Sequence, residues 1–384
     1  MPLEAQLILH CAAALNREDS RRSAITATIQ RGVDWEVVTR VAAFQGVLPS
    51  VYRALIPAFA SELPVSVRER LRQDVHGNAL RNRYLAAEMV RLSRLLEKHG
   101  VRMLALKGPA LAAGVYGDVT LRQFSDLDLL VHERDLGAAF AVLAGDGFRT
   151  KAPFKLSSNK PPSGWEMSFE REQGLFEVDL HWRLCPAYFP FTWEGDQLWT
   201  RAVEVDLGPG RVSALGPEDL MLFLCAHGAK HGWQALSGLC DVTQASRAYQ
   251  YDWEGLAARA NSLGSLRIVS LGVLLAHDLL GAMIPSRFID AARAEPSVEH
   301  AARSFCRYFY QLGTTAPGLL QRWAIPLAMI PNRSSQVRYT LARAFQPAVR
   351  DFDFVSLPLA LSRLYYPLRP LRLALQKVSS FSRL

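Results

Sequence analysis

Ser125-Asp126-Leu127-Asp128-Leu129-Leu130-Val131 alternates polar and apolar residues and then runs apolar. That pattern is expected of a strand, and residues two apart on a strand face the same way. Asp126 and Asp128 therefore project together while Leu127 and Leu129 bury on the opposite face. Two carboxylates held on one rigid edge repel each other unless a cation or a basic partner compensates. A hard divalent cation such as magnesium takes one or two carboxylates together with phosphate oxygens, and Asp-x-Asp supplies them.

Downstream, Phe176-Glu177-Val178-Asp179-Leu180-His181-Trp182 alternates in the same way. If this strand lies beside the first, Asp179 completes a three-carboxylate cluster. Such a cluster can hold two metals about 4 Å apart and clamp the attacking and leaving oxygens of a phosphoryl displacement. The carboxylate nearest the nucleophile can serve as general base. Upstream, Leu106-Lys107-Gly108-Pro109-Ala110 stands between an apolar run, Val101 to Leu106, and a short helix, Ala110 to Tyr116. Glycine permits close backbone approach to a phosphate, a helix N-terminus favours anions, and Lys107 adds a point charge.

Around this centre the chain reads as α+β. A small mixed sheet is expected over residues 101–215, with an N-terminal helical region over 1–100, a helical region over 216–312 that completes the cleft, and a basic helical segment over 313–384. Asp34 is placed to cap a helix from Trp35. Ser66 and Glu69 fit a capping box at the head of a long helix ending at Gly100, its apolar stripe broken near Gly77. Glu133 to Gly145 reads as a helix and Phe148 as a strand start. Met167–Arg171 and Leu175–Arg183 read as a hairpin across Glu172-Gln173-Gly174. Pro217-Glu218-Asp219 opens the next helix, with proline and two acids in the first turn.

Of the 384 residues, 49% are apolar and 21% charged, which excludes a disordered chain. The five cysteines include no CxxC pair, which argues against a disulfide framework and a cysteine-rich zinc site. The net charge of +8 suits an anionic partner, but no basic stripe with interleaved aromatics points to nucleic acid. Phe354 to Leu384 contains no Asp or Glu and five basic residues, Arg363, Arg369, Arg372, Lys377 and Arg383. This segment either rests on an anionic membrane or packs as a helical pair with its basic groups in water. The N-terminus lacks a signal-peptide pattern, and Ile268–Ile284 is too short for a comfortable span, so a cytoplasmic location, peripheral to a membrane at most, is expected.

Several side chains admit two roles. Arg122 can pair with a carboxylate or reach a triphosphate. His227, Lys230 and His231 share one face of a probable helix, as an acceptor- or phosphate-facing patch or as structural groups. With Asp241 as a third ligand, His227 and His231 would also make a phosphohydrolase metal site, although no glutamate follows His227 as in an HExxH helix. His181 can orient Asp179 or contact substrate. Trp233 can stack on a base or pack in the core.

Taken together, LKGPAL (106–111), Tyr116, Arg122, SDLDLLV (125–131), VDLHW (178–182), PEDLMLFLCAHGAKHGW (217–233) and Asp241 resemble the bacterial uncharacterised nucleotidyltransferase family, within the DNA polymerase β-type nucleotidyltransferase superfamily. The resemblance covers residues 101–250. It implies Mg2+- or Mn2+-dependent transfer of a nucleoside monophosphate from an NTP, such as ATP, to an unidentified hydroxyl or phosphate acceptor, with release of pyrophosphate. It makes Asp126, Asp128 and Asp179 the metal ligands and Gly108 the phosphate-loop glycine, with Lys107, Arg122 and Ser125 beside the nucleotide. The wider superfamily carries Gly-Gly or Gly-Ser in that loop, whereas here Pro109 follows Gly108. A serine hydroxyl and a backbone N–H are thus missing, and a nucleotide-binding module without catalysis stays open as an alternative.

Overall fold

The computed structural model describes residues 1–14, 18–150, 164–186, 188–189, 193, 195–309, 319–347, 351, 354–355 and 357–381. Strands β1 (Met103–Ala105), β2 (Leu127–Val131), β3 (Arg149–Thr150), β4 (Glu166–Arg171), β5 (Phe176–His181), β6 (Val203–Asp206) and β7 (Arg211–Ala214) form one mixed sheet in the order β3-β4-β5-β2-β1-β7-β6. β2 pairs antiparallel with β1 and parallel with β5. The expected hairpin is β4–β5, and Glu172, Gln173 and Gly174 all turn at positive φ. A second hairpin, β6–β7, closes the other edge. Its Val-Glu-Val-Asp and Arg-Val-Ser-Ala arms flank Leu-Gly-Pro-Gly, a turn signal not singled out by the sequence reading.

The sheet has two unlike faces. On one, Leu127, Leu129, Val131, Val178 and Leu180 join an apolar core with the C-terminal half of α5 (Val65–Lys98) and with α7 (Leu136–Gly145). On the other, Asp128 is followed by Leu130, and Asp179 by His181. Leu104, Leu106 and Leu130 there meet a larger core, built from α1 (Leu3–Ala14), α3 (Trp35–Phe44), α4 (Leu48–Phe59), α9 (Pro217–Lys230), α10 (Leu236–Ala248), α12 (Leu266–Leu280) and α14 (Pro296–Phe309).

Local signals behave largely as the residues suggest. Asp34 accepts hydrogen bonds from the N–H groups of Glu36 and Val37 at the head of α3. Gly100 ends the long helix at φ 75°. The capping box at Ser66 and Glu69 does not form, because α5 begins earlier, at Val65, after the extended residue Pro64, and Ser66 already lies in the first turn. Nor does Gly77 interrupt α5, which runs unbroken for 34 residues. A single exposed glycine costs only about 1 kcal/mol, which the apolar face of so long a helix outweighs. Glu133–Asp135 is a short 3-10 turn leading into α7, not part of it.

Beyond α14, α15 (Leu319–Met329), α16 (Arg333–Phe345) and α17 (Tyr365–Phe381) make up most of the described C-terminal part. Arg369 and Arg372 of α17 turn inward onto buried Asp351, at 2.7 and 2.5 Å, instead of facing solvent. No helix among the described residues is long and apolar enough to cross a membrane.

Candidate active site

Asp128 of β2 sits in register with Asp179 of β5, and parallel neighbours in register point to the same face. Asp126 lies one residue before β2, which starts at Leu127. Ligand atoms of Asp126, Asp128 and Asp179 all lie within 4.8 Å of one another. Among the described residues this is the one cluster of acids, histidines and cysteines with the geometry to hold a metal ion.

Basic groups surround the cluster. Lys107 Nζ stands 3.1 Å from Asp128 Oδ2 and donates to His227 Nε2 at 3.4 Å. His181 Nε2 is 3.2 Å from the other Asp128 oxygen, and its Nδ1 is 3.4 Å from Glu166 Oε2. Glu166 is the register partner of His181 and Ser168 that of Asp179, so the hairpin adds two polar side chains to this face. Ser168 hydrogen-bonds Asp179. Lys230 of α9 stands 3.7 Å from Glu166 and over the ring of Trp165, 5.4 Å from its centroid. The strand expected from Met167 begins one residue earlier and so takes in Glu166, and the Glu-x-Ser-x-Glu alternation there puts Ser168 on the same face.

The loop below is glycine-dependent. Gly108 has φ 61° and ψ −130°, and a Cβ there would lie 3.2 Å from the Asp126 carbonyl oxygen. Pro109 then takes the first position of α6 (Pro109–Tyr116), where its ring suits the helical φ. Ser125 is exposed beside Asp126.

The electrostatics divide the three acids. Burial alone would raise the Asp128 carboxyl, but Lys107 and His181 outweigh it and hold the group well below the usual carboxylate range. Burial and the Asp128 charge push Asp126 up, against Lys107. Burial, opposed by the Ser168 hydrogen bond and reinforced by Asp128 and Glu166, pushes Asp179 up to about 6. Burial and the neighbouring lysines keep His227 and His231 neutral, His231 down at about 3. Two acids that resist ionisation beside a third that is fully charged form a donor set that a hard divalent cation would relieve.

Arg122 takes the first of its two open roles. It donates to both oxygens of Asp241, at 2.8 and 2.9 Å, and Tyr116 donates to the same carboxylate at 2.7 Å. Asp241 is 2% exposed and committed to these partners, so the His227, His231, Asp241 ligand set does not assemble. His227 and His231 instead lie ring to ring, 4.6 Å between centroids. Trp233 is a core residue, 1% exposed and flanked by Gly228 and Gly272.

No curated protein matches the chain. A family model described as uncharacterised nucleotidyltransferase matches residues 31–281, from just before α3 to just past α12, and so takes in the sheet, the acid cluster and the Arg122–Asp241 pair. The chain accordingly belongs to the uncharacterised nucleotidyltransferase family and is a nucleotidyltransferase.

Proposed function

We propose that the chain transfers a nucleoside monophosphate from an NTP to a hydroxyl or phosphate acceptor and releases pyrophosphate, with Asp126, Asp128 and Asp179 holding Mg2+ or Mn2+. The observation that carries this reading is the convergence of those three acids from two adjacent parallel strands within 4.8 Å. When bound, the metal supplies Lewis-acid charge for the developing oxyanions.

The chain's own residues divide the remaining work. Asp128 stays ionised because Lys107 and His181 each hold one of its oxygens. Asp179, pushed up to about 6, is suited to take the proton of the acceptor hydroxyl, since a general base works best near the operating pH. The acceptor oxygen bonds the α-phosphorus, the bond to the β-phosphate oxygen breaks, and the pyrophosphate leaves with that electron pair. Lys107 and the backbone turn at Gly108 face the same space and contribute positive charge and close approach.

The test is pyrophosphate release from each NTP in the presence of Mg2+. Asp126→Ala with Asp128→Ala is expected to abolish release and weaken Mg2+ binding in protein that still folds. Release at the wild-type rate by the double variant would mean that these are not the metal ligands. The non-catalytic alternative, motivated by Pro109 after Gly108, expects calorimetric NTP binding with no pyrophosphate even on long incubation.

A further inference from the structure

The family-matched residues end at 281, but the aromatic packing that leads to the acid cluster does not. Tyr339 of α16 is 1% exposed and meets Tyr188 edge-on, 5.7 Å between centroids. Tyr188 meets Trp165 edge-on at 6.2 Å, and Trp165 directly precedes Glu166 of the site. One turn beyond Tyr339, Arg343 donates to the Tyr188 hydroxyl and lies over Trp323, 5.7 Å from its ring centroid. Its charge also acts on His231, at the end of α9. Arg369 of α17 donates to the Arg343 carbonyl oxygen at 3.1 Å, so Asp351 and the last helix hold this part of α16 in place.

Two donors in this wall have no acceptor. The Nε of Arg343 and the indole Nε1 of Trp165 are both buried without a hydrogen-bond partner. Buried donors are nearly always satisfied, and the unsatisfied ones need an explanation. Beside them stands Lys230, paired only loosely with Glu166. Two cations and two unmet N–H groups, linked through Tyr188 and Trp165 to Glu166 beside the acid cluster, match a ligand rich in anionic oxygens.

We propose that Arg343, together with Lys230, forms the triphosphate subsite of this enzyme, and that α16 thereby supplies a nucleotide-binding residue from outside the family-matched region. The assignment rests on the nucleotidyl-transfer reading and adds to it the chain segment that completes the substrate pocket. The guanidinium fork can bond two phosphate oxygens at once, and its own tie to Tyr188 fixes the direction in which it reaches.

Calorimetry on the full-length chain with Mg2+ tests it, using a non-hydrolysable NTP analogue and, separately, inorganic tripolyphosphate. Arg343→Gln is expected to weaken both by about 10-fold or more, the effect of losing a charge-assisted pair, while Mg2+ binding and the unfolding midpoint stay near wild type. Affinities within about twofold of wild type would overturn the assignment. If Arg343→Gln does not fold, Arg343→Lys decides. It keeps the charge and loses the fork, so binding weaker by about threefold or more supports the subsite and unchanged binding overturns it. A wild-type chain that binds neither ligand also overturns it. A wild-type chain that binds both through Arg343 yet never releases pyrophosphate supports the subsite and sinks the catalytic reading instead.

Discussion

Burial controls the protonation of single residues around the acid cluster, and His231 shows the consequence for stability. Its imidazole is held down at about 3, by desolvation first and by Lys230 and Lys107 next. In the unfolded chain the same group titrates at about 6.5. Between those values the unfolded state binds a proton that the folded state refuses, so stability rises with pH through this window and is complete above about 6.5. The expected outcome is a urea midpoint that falls as pH is lowered from 6.5 towards 4, with a shallower slope in His231→Asn. Midpoints measured at several pH values for both proteins check this; identical slopes would show that His231 is not the group responsible. Asp128 has the opposite character: Lys107 and His181 keep it charged, so it stays ionised well into acid.

Among the elements, α9 carries both polar residues that meet Lys107 and Glu166 and part of the largest core. His227 and Lys230 look towards the sheet, while Gly228 between them lets the ring of Trp233 lie against the helix backbone. A Cβ at 228 would come within 2.3 Å of the Trp233 ring, and one at 272 on α12 within 2.8 Å of it. The two glycines are thus the seat of an indole that wedges between α9 and α12. Gly228→Ala is expected to cost about 1–3 kcal/mol by overpacking, and to disturb Lys230 with it. Gly77→Ala is the contrasting case, since a Cβ there meets nothing within 4 Å on an exposed stretch of α5, and about 1 kcal/mol of stabilisation is expected. Chemical denaturation of both variants should give shifts of opposite sign.

At the scale of the whole molecule, one buried ion pair joins the sheet to the helices behind it. Arg122 and Tyr116 come from the loop and helix under the acid cluster, and Asp241 comes from α10. Asp241→Ala leaves a buried guanidinium without a counter-charge, which typically costs about 3–5 kcal/mol. The urea midpoint should drop accordingly, while protein that is still folded at low temperature should bind Mg2+ as wild type does. A phosphohydrolase built on His227, His231 and Asp241 would give the reverse pattern, loss of metal with little loss of stability.

The candidate centre was legible because strand periodicity and chemistry coincide at a few positions. Asp126, Asp128 and Asp179 stand out where acids alternate with leucine and valine, and the same alternation gave the β4–β5 hairpin and the apolar face of β2. Helix ends with short-range signals, Asp34 and Gly100, could be read as well. What the linear pattern left open were the pairings between groups distant in sequence. Arg122 was equally suited to a phosphate or to a carboxylate, and only the approach of α10 gives it Asp241. Glu166, Ser168 and Arg343 join the site because the hairpin register and the packing of α16 bring them there, 38 to 215 residues away from Asp128 along the chain. Local propensity and alternation act over a few residues and so are written in the sequence, whereas which charges meet depends on how whole elements pack, and that was settled by the fold alone.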